Sequence, residues 1–183
     1  MSASIRIGRI LGIPIYLHLT FLLILPLFVL LFASSQENTV FGIPLTLGAL
    51  DTEPWVRYAF GTVAAVLFFI TILVHELAHS YLAQRYGVRI KGITLMIFGG
   101  VSSMEEIPRK PGQEWRMAFA GPFSSLVIGV VSYLAMILLK QFQPGTLLLE
   151  ATVVLTGQIA FYNILLAGFN LIPAFPMDGG WLV

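Results

Sequence analysis

Four long apolar stretches decide what this chain can become. They run roughly from Tyr16 to Ala33, from Val56 to Tyr81, from Met117 to Leu139 and from Thr146 to Phe169. Each approaches or exceeds the ~20 residues that a helix needs to cross about 30 Å of hydrocarbon. Composition points the same way: 57% of the residues are hydrophobic and only 10% are charged, whereas about a quarter of a soluble domain is charged. The expected fold class is an all-α polytopic membrane protein of about four transmembrane helices, in one membrane-embedded core spanning residues 1–183. There is no cysteine. Disulfides and thiolate metal sites are thereby excluded, and any metal must be held by His, Asp or Glu. A net charge of +1 with no basic face argues against nucleic acid as a partner.

The connections between the stretches carry an orientation. The segment from Ser34 to Pro54 holds Glu37, Asp51 and Glu53 but no Lys or Arg. The segment from Gln84 to Arg116 holds Arg85, Arg89, Lys91, Arg109, Lys110 and Arg116, and the N-terminus adds Arg6 and Arg9. Basic residues in short loops stay on the cytoplasmic side. The N-terminus and the second connection are therefore expected in the cytoplasm of a cell-membrane protein, with the acidic connection outside. Four crossings return the chain to the cytoplasmic side near Asn170. Trp55, Tyr58, Tyr81, Tyr86 and Trp115 fall near the expected span ends, where aromatic side chains anchor. The first stretch could alternatively be a cleaved leader, with Arg6 and Arg9 before it and small Ala33 and Ser35 after it. Its length, with Pro14, His18 and Pro26 inside it, fits a retained segment better.

Two short segments read as strands. Val88 to Leu95 begins with apolar residues alternating with polar or small ones, as in a half-buried strand, before Gly99-Gly100 breaks the run. Ile5 to Ile10 shows a similar pattern, and the two could pair into a small β-sheet at the membrane face. The Glu105-Glu106 pair lies in a polar connection and is expected to face solvent.

The chemistry concentrates at the end of the second stretch, in His75-Glu76-Leu77-Ala78-His79. Residues four apart on a helix share one face about a turn apart, so His75 and His79 can offer two neutral nitrogens to one Zn2+ ion. Glu76 is then the catalytic residue that takes a proton from the attacking water. A hydrogen-bonded helix end without metal is the simpler alternative. Ionisable groups inside membrane segments are costly, however, and are usually functional.

A catalytic zinc site commonly has three protein ligands, and Asp178 is the best candidate for the third. It follows the fourth stretch, in Asn170-Leu171-Ile172-Pro173-Ala174-Phe175-Pro176-Met177-Asp178-Gly179-Gly180, and the count of crossings puts it on the same side as His79. Taken alone, Asp-Gly-Gly is ordinary turn chemistry. Paired with the His-Glu-His motif, it reads as a ligand. The prolines stop a regular helix there, and irregular backbone at membrane depth is tolerated where it is buried or lines a cavity.

These motifs resemble those of the site-2 protease family of intramembrane zinc metalloproteases. His75 to His79 matches the family's first motif, and Asn170 to Pro173 with Asp178-Gly179 matches the second. Gly121 and Ser125 match a weaker third, a pattern also common in packed membrane helices. The resemblance extends over nearly the whole chain, including the Arg9 to Pro14 lead-in. It implies His75, His79 and Asp178 as zinc ligands, Glu76 as the acid/base, and Asn170 as a donor to substrate backbone or to the developing oxyanion; a helix C-cap is the competing role for Asn170. It implies regulated intramembrane proteolysis, with the lipid bilayer and a transmembrane protein substrate as partners. The connection between the second and third stretches is too short for an inserted PDZ domain, which implies the compact subgroup. Members of that family continue with further membrane helices, so a chain truncated at Val183 is expected.

Two rival readings are an ion or proton transporter and a proteolytically silent scaffold. The first is disfavoured because the polar groups cluster near one membrane face with no relay continuing across. His18, the other histidine in an apolar stretch, is expected to be interfacial or hydrogen-bonded. The intact Glu76 argues against the scaffold. An unwound substrate could add to a strand edge near Gly99-Gly100-Val101.

Overall fold

Three of the four apolar stretches fold as long helices. In the computed structural model, which describes residues 4–97, 99–104, 111–142, 145–172 and 178, they are α2 (Pro54–Arg85), α3 (Pro111–Leu139) and α4 (Leu147–Asn170). Prolines open α2 and α3, where the missing N–H costs nothing and the fixed φ suits a first turn. All three are long and apolar enough to cross a membrane, which makes this a multi-pass membrane protein. With 32 residues, α2 is about 48 Å long at 1.5 Å per residue, more than the bilayer core requires.

The first stretch divides. Its beginning is drawn into a strand, and only α1 (Phe21–Phe32), 12 residues long with Pro26 inside it, is helical. A short apolar run cannot be assigned to helix or buried strand by periodicity alone. Here neighbouring strands on both sides settle it, by supplying the backbone partners of β2 (Ile13–His18).

A four-stranded sheet has the order β1-β2-β5-β6, with β1 (Ser4–Ile10), β5 (Ile90–Met96) and β6 (Gly99–Met104) joining β2. β1 and β2 form an antiparallel hairpin around Leu11 and Gly12, both at positive φ. β2 runs parallel to β5 in the register Ile15↔Ile93, and β5 turns back antiparallel to β6 with Ile93 opposite Ser102. The two segments expected as strands are both present. They share a sheet but do not pair, because β2 lies between them. The Gly99-Gly100 pair does not end the strand structure either; it starts β6. The Glu105-Glu106 pair lies outside the described residues.

The chain divides into two compact units. The first comprises Met1–Ile24, Ile70–Leu126 and Leu166–Val183. Its core joins the sheet to α2: Ile13, Ile15 and Ile93 are fully buried and pack with Ile90 and with Leu73 and Leu77 of the helix. That packing seats the sheet on the stretch of α2 that carries the His-Glu-His motif. The second unit comprises Leu25–Phe69 and Val127–Leu165. It contains an aromatic cluster of Phe28, Phe32, Phe68, Phe69 and Tyr162. A separate core of Leu47, Leu50, Ala151 and Val154 is packed by Phe60. This unit also holds the short hairpin β3 (Thr39–Val40) and β4 (Ile43–Pro44). Trp55, Tyr58, Tyr81 and Trp115 are exposed near the helix ends, as interfacial anchors require.

Candidate active site

The four-residue spacing of His75 and His79 does on α2 what helix geometry dictates. Both rings project from one face, with centroids 4.9 Å apart, and both residues are buried. Their Nε2 atoms are 3.2 Å apart. Asp178, beyond α4, completes a triangle: its Oδ2 is 3.1 Å from each Nε2.

The other ring nitrogens are held by α3. His79 Nδ1 lies 2.7 Å from the Met117 carbonyl. A carbonyl only accepts, so Nδ1 carries the proton and the neutral ring turns its Nε2 lone pair inward. His75 Nδ1 lies 2.9 Å from the hydroxyl of Ser125, which is itself fully buried. Met117, Gly121 and Ser125 follow one another at four-residue steps and so share a face of α3. Between carbonyl and hydroxyl that face must leave room. A Cβ on Gly121 would overlap His79 Nε2 and sit 2.6 Å from His75 Nε2. The space into which both nitrogens point therefore exists only because residue 121 has no side chain.

Tetrahedral zinc with bonds of about 2.0–2.1 Å holds its ligands roughly 3.3–3.4 Å apart. The observed triangle has edges of 3.1–3.2 Å, with a carboxylate oxygen and an inward lone pair among its corners. A cation is what such a cluster of acceptors fits, and the second bond on each imidazole is the usual support of a metal-binding histidine. Among the described residues these three form the one group of His, Asp or Glu placed to hold a metal.

Glu76 stands beside the triangle rather than in it. Its side chain runs against β6, where a Cβ on Gly100 would overlap Glu76 Cγ and lie 3.1 Å from its carboxyl carbon. One turn on, the hydroxyl of Ser80 lies 2.8 Å from that of Ser102 on β6. Asn170 is placed differently: its amide donates to the Leu166 carbonyl at 2.9 Å, closing the last turn of α4. Of the rest of the second motif, residues 173–177 and 179–180 lie outside the described residues. His18 accepts a hydrogen bond at Nδ1 from the backbone N–H of Thr20, in keeping with its expected hydrogen-bonded role.

The sequence motifs named His75, His79, Asp178 and Glu76, and the structure supplied the triangle. They did not reveal Met117, whose contribution is a backbone carbonyl, nor the Ser80–Ser102 pair. The four-residue spacing of Glu76 and Ser80 is a signal only once β6 is known to lie above them.

Comparison with known proteins bears on the same site. The model of peptidase family M50 matches residues 63–156. A zinc metalloprotease of Methanocaldococcus jannaschii is 38% identical over 180 residues, which cover 98% of this chain and 44% of that protein. Rip3 of Mycobacterium tuberculosis is 34% identical over 183 residues, all of this chain and 43% of that protein. The chain thus spans less than half the length of these curated relatives. Among solved structures, the site-2 protease from Methanocaldococcus jannaschii matches with a TM-score of 0.63 at 37% identity, covering 98% of this chain and 69% of that one.

Proposed function

Because the chain belongs to peptidase family M50, the site-2 protease family, we propose that it is the catalytic core of an intramembrane zinc endopeptidase that cuts membrane proteins in or near their transmembrane segments, in regulated intramembrane proteolysis. One observation carries the proposal: Asp178, beyond the end of α4, meets His75 and His79 of the membrane-spanning helix α2 with all three ligand atoms within 3.2 Å of one another, and Glu76 is on the same helix.

In this reading His75 Nε2, His79 Nε2 and Asp178 Oδ2 hold the metal. Bound there, zinc acidifies water and polarises a peptide carbonyl. Glu76 accepts the proton of the attacking water and delivers it to the leaving amine. Met117 and Ser125 keep the two imidazoles facing the same point. The outer edge of β6 is unpaired among the described residues, and an unwound substrate segment adds there as a further strand. Unwinding is required because a helix hides its carbonyls in internal hydrogen bonds. Asn170 spends one amide N–H on the Leu166 carbonyl at the end of α4, and its second N–H is the donor for substrate backbone or the developing oxyanion. The site faces the cytoplasm: Arg6, Arg9, Arg85, Arg89 and Lys91 flank the same ends of the spans, and the opposite connection is acidic.

The test pairs zinc quantitation with cleavage of a model membrane substrate by the full-length protein. Glu76→Gln should keep about one zinc per chain and lose cleavage by at least about 100-fold. Undiminished cleavage by Glu76→Gln, or a parent protein that binds no zinc, overturns the reading.

A further inference from the structure

β6 is a strand whose position its own sequence specifies weakly. It reads Gly99-Gly100-Val101-Ser102-Ser103-Met104, with few side chains large enough to lock a strand by packing. Such Gly-rich strands are prone to slip, and a slip of two residues restores the same face. Yet β6 lies directly over Glu76, and its outer edge is unpaired among the described residues.

Two contacts fix the strand to the helix, and they are commensurate. Gly100 lies on Glu76 and Ser102 lies on Ser80. Gly100 and Ser102 are two residues apart and share one face of the strand. Glu76 and Ser80 are four residues apart and share one face of α2. Two strand residues advance about 6.6–6.8 Å and four helix residues about 6 Å, so both contacts are met in a single register. The first is close packing of the Gly100 backbone on Glu76 Cγ, which carries no hydrogen bond. The second is a hydrogen bond of 2.8 Å between two hydroxyls, and Ser80 is fully buried. A buried hydroxyl cannot give up its partner without a penalty. Unlike apolar contact, the pair therefore resists sliding.

We propose that the Ser80–Ser102 hydroxyl pair is a register pin: it fixes β6 along the catalytic helix, and so sets which peptide bond of a strand added to β6 stands over Glu76. Both serines are positioning residues and touch no reacting atom. The proposal rests on the protease reading and on strand addition to β6.

The test uses the full-length protein in detergent with a model substrate, a Leu/Ala transmembrane segment carrying a central Asn-Pro pair that opens the helix. Cleavage positions are read by mass spectrometry. Ser102→Ala should spread cleavage over neighbouring bonds while total turnover falls by no more than about tenfold, the scale of one neutral hydrogen bond. Ser102→Thr keeps a hydroxyl and should restore a single product. The absence of native cysteine allows a second arm, the double variant Ser80→Cys with Ser102→Cys. Oxidised, it should cut one bond; reduced, several. A folded Ser102→Ala protein that is inactive, or that cuts only the original bond, overturns the pin. So does an oxidised double variant that is inactive, since β6 would then have to leave the helix during turnover. If Glu76→Gln still cleaves the substrate, it is the protease reading that has failed, whatever the product pattern.

Discussion

The sharpest perturbation available in this molecule is the addition of one methyl group, Gly121→Ala. On an ordinary helix this change is favourable, since Ala exceeds Gly by about 0.8–1 kcal/mol in helix propensity. Here the new Cβ would overlap His79 Nε2 and stand 2.6 Å from both His75 Nε2 and His79 Cδ2. Carbon contacts are comfortable at about 3.5–4.0 Å, so both rings must turn away or α3 must retreat. Overpacking of this kind costs about 1–3 kcal/mol. Set against the helix gain, the net loss of stability is no more than about 2 kcal/mol, which leaves the fold in place. The metal has no such compensation. Disturbing the support of one ligand costs about 10–100-fold in affinity, and two rings are displaced at once, so zinc binding should weaken by roughly 10²–10⁴-fold. The assay is competition for zinc against a chromophoric chelator, with far-ultraviolet circular dichroism on the same sample to check the helices. If a Gly121→Ala protein is fully helical and binds zinc within about threefold of the parent, the space between the imidazoles is not the metal position.

Two further substitutions separate the parts of the site. Ser125→Ala removes the hydroxyl beside His75 Nδ1 while Met117 still holds His79, so zinc affinity should fall by about 10–100-fold, less than for Gly121→Ala in the same competition assay. Gly100→Ala places a methyl group against Glu76 Cγ, and the atoms it would meet first all belong to Glu76 rather than to His75, His79 or Asp178. Cleavage should drop by about 100-fold or more at unchanged zinc content, both measured on one preparation.

Much of this was legible in the residues themselves. Helical spacing alone puts His75 and His79 on one face, and three runs of apolar residues long enough to span a bilayer could fold in few other ways. Asp178 was reachable through the count of crossings combined with the lack of any cysteine. The first apolar run was not legible, because apolar residues at Ile13 and Ile15 suit a buried strand as well as a helix, and strands far along the chain decide between them. Nor was the role of Gly121 and Ser125. Their spacing is common among packed membrane helices, and what distinguishes this instance is that Gly121 lies opposite two imidazole nitrogens.

The class of the protein and the chemistry of its motifs are written in the chain, because hydrophobic length and helical periodicity are local properties that each segment carries with it. The tertiary structure alone decided the order β1-β2-β5-β6, the triangle of His75, His79 and Asp178, and the seating of β6 over Glu76. Those depend on contacts between residues up to 103 positions apart, where packing and the need to pair every buried polar group, rather than any local preference, choose the partner.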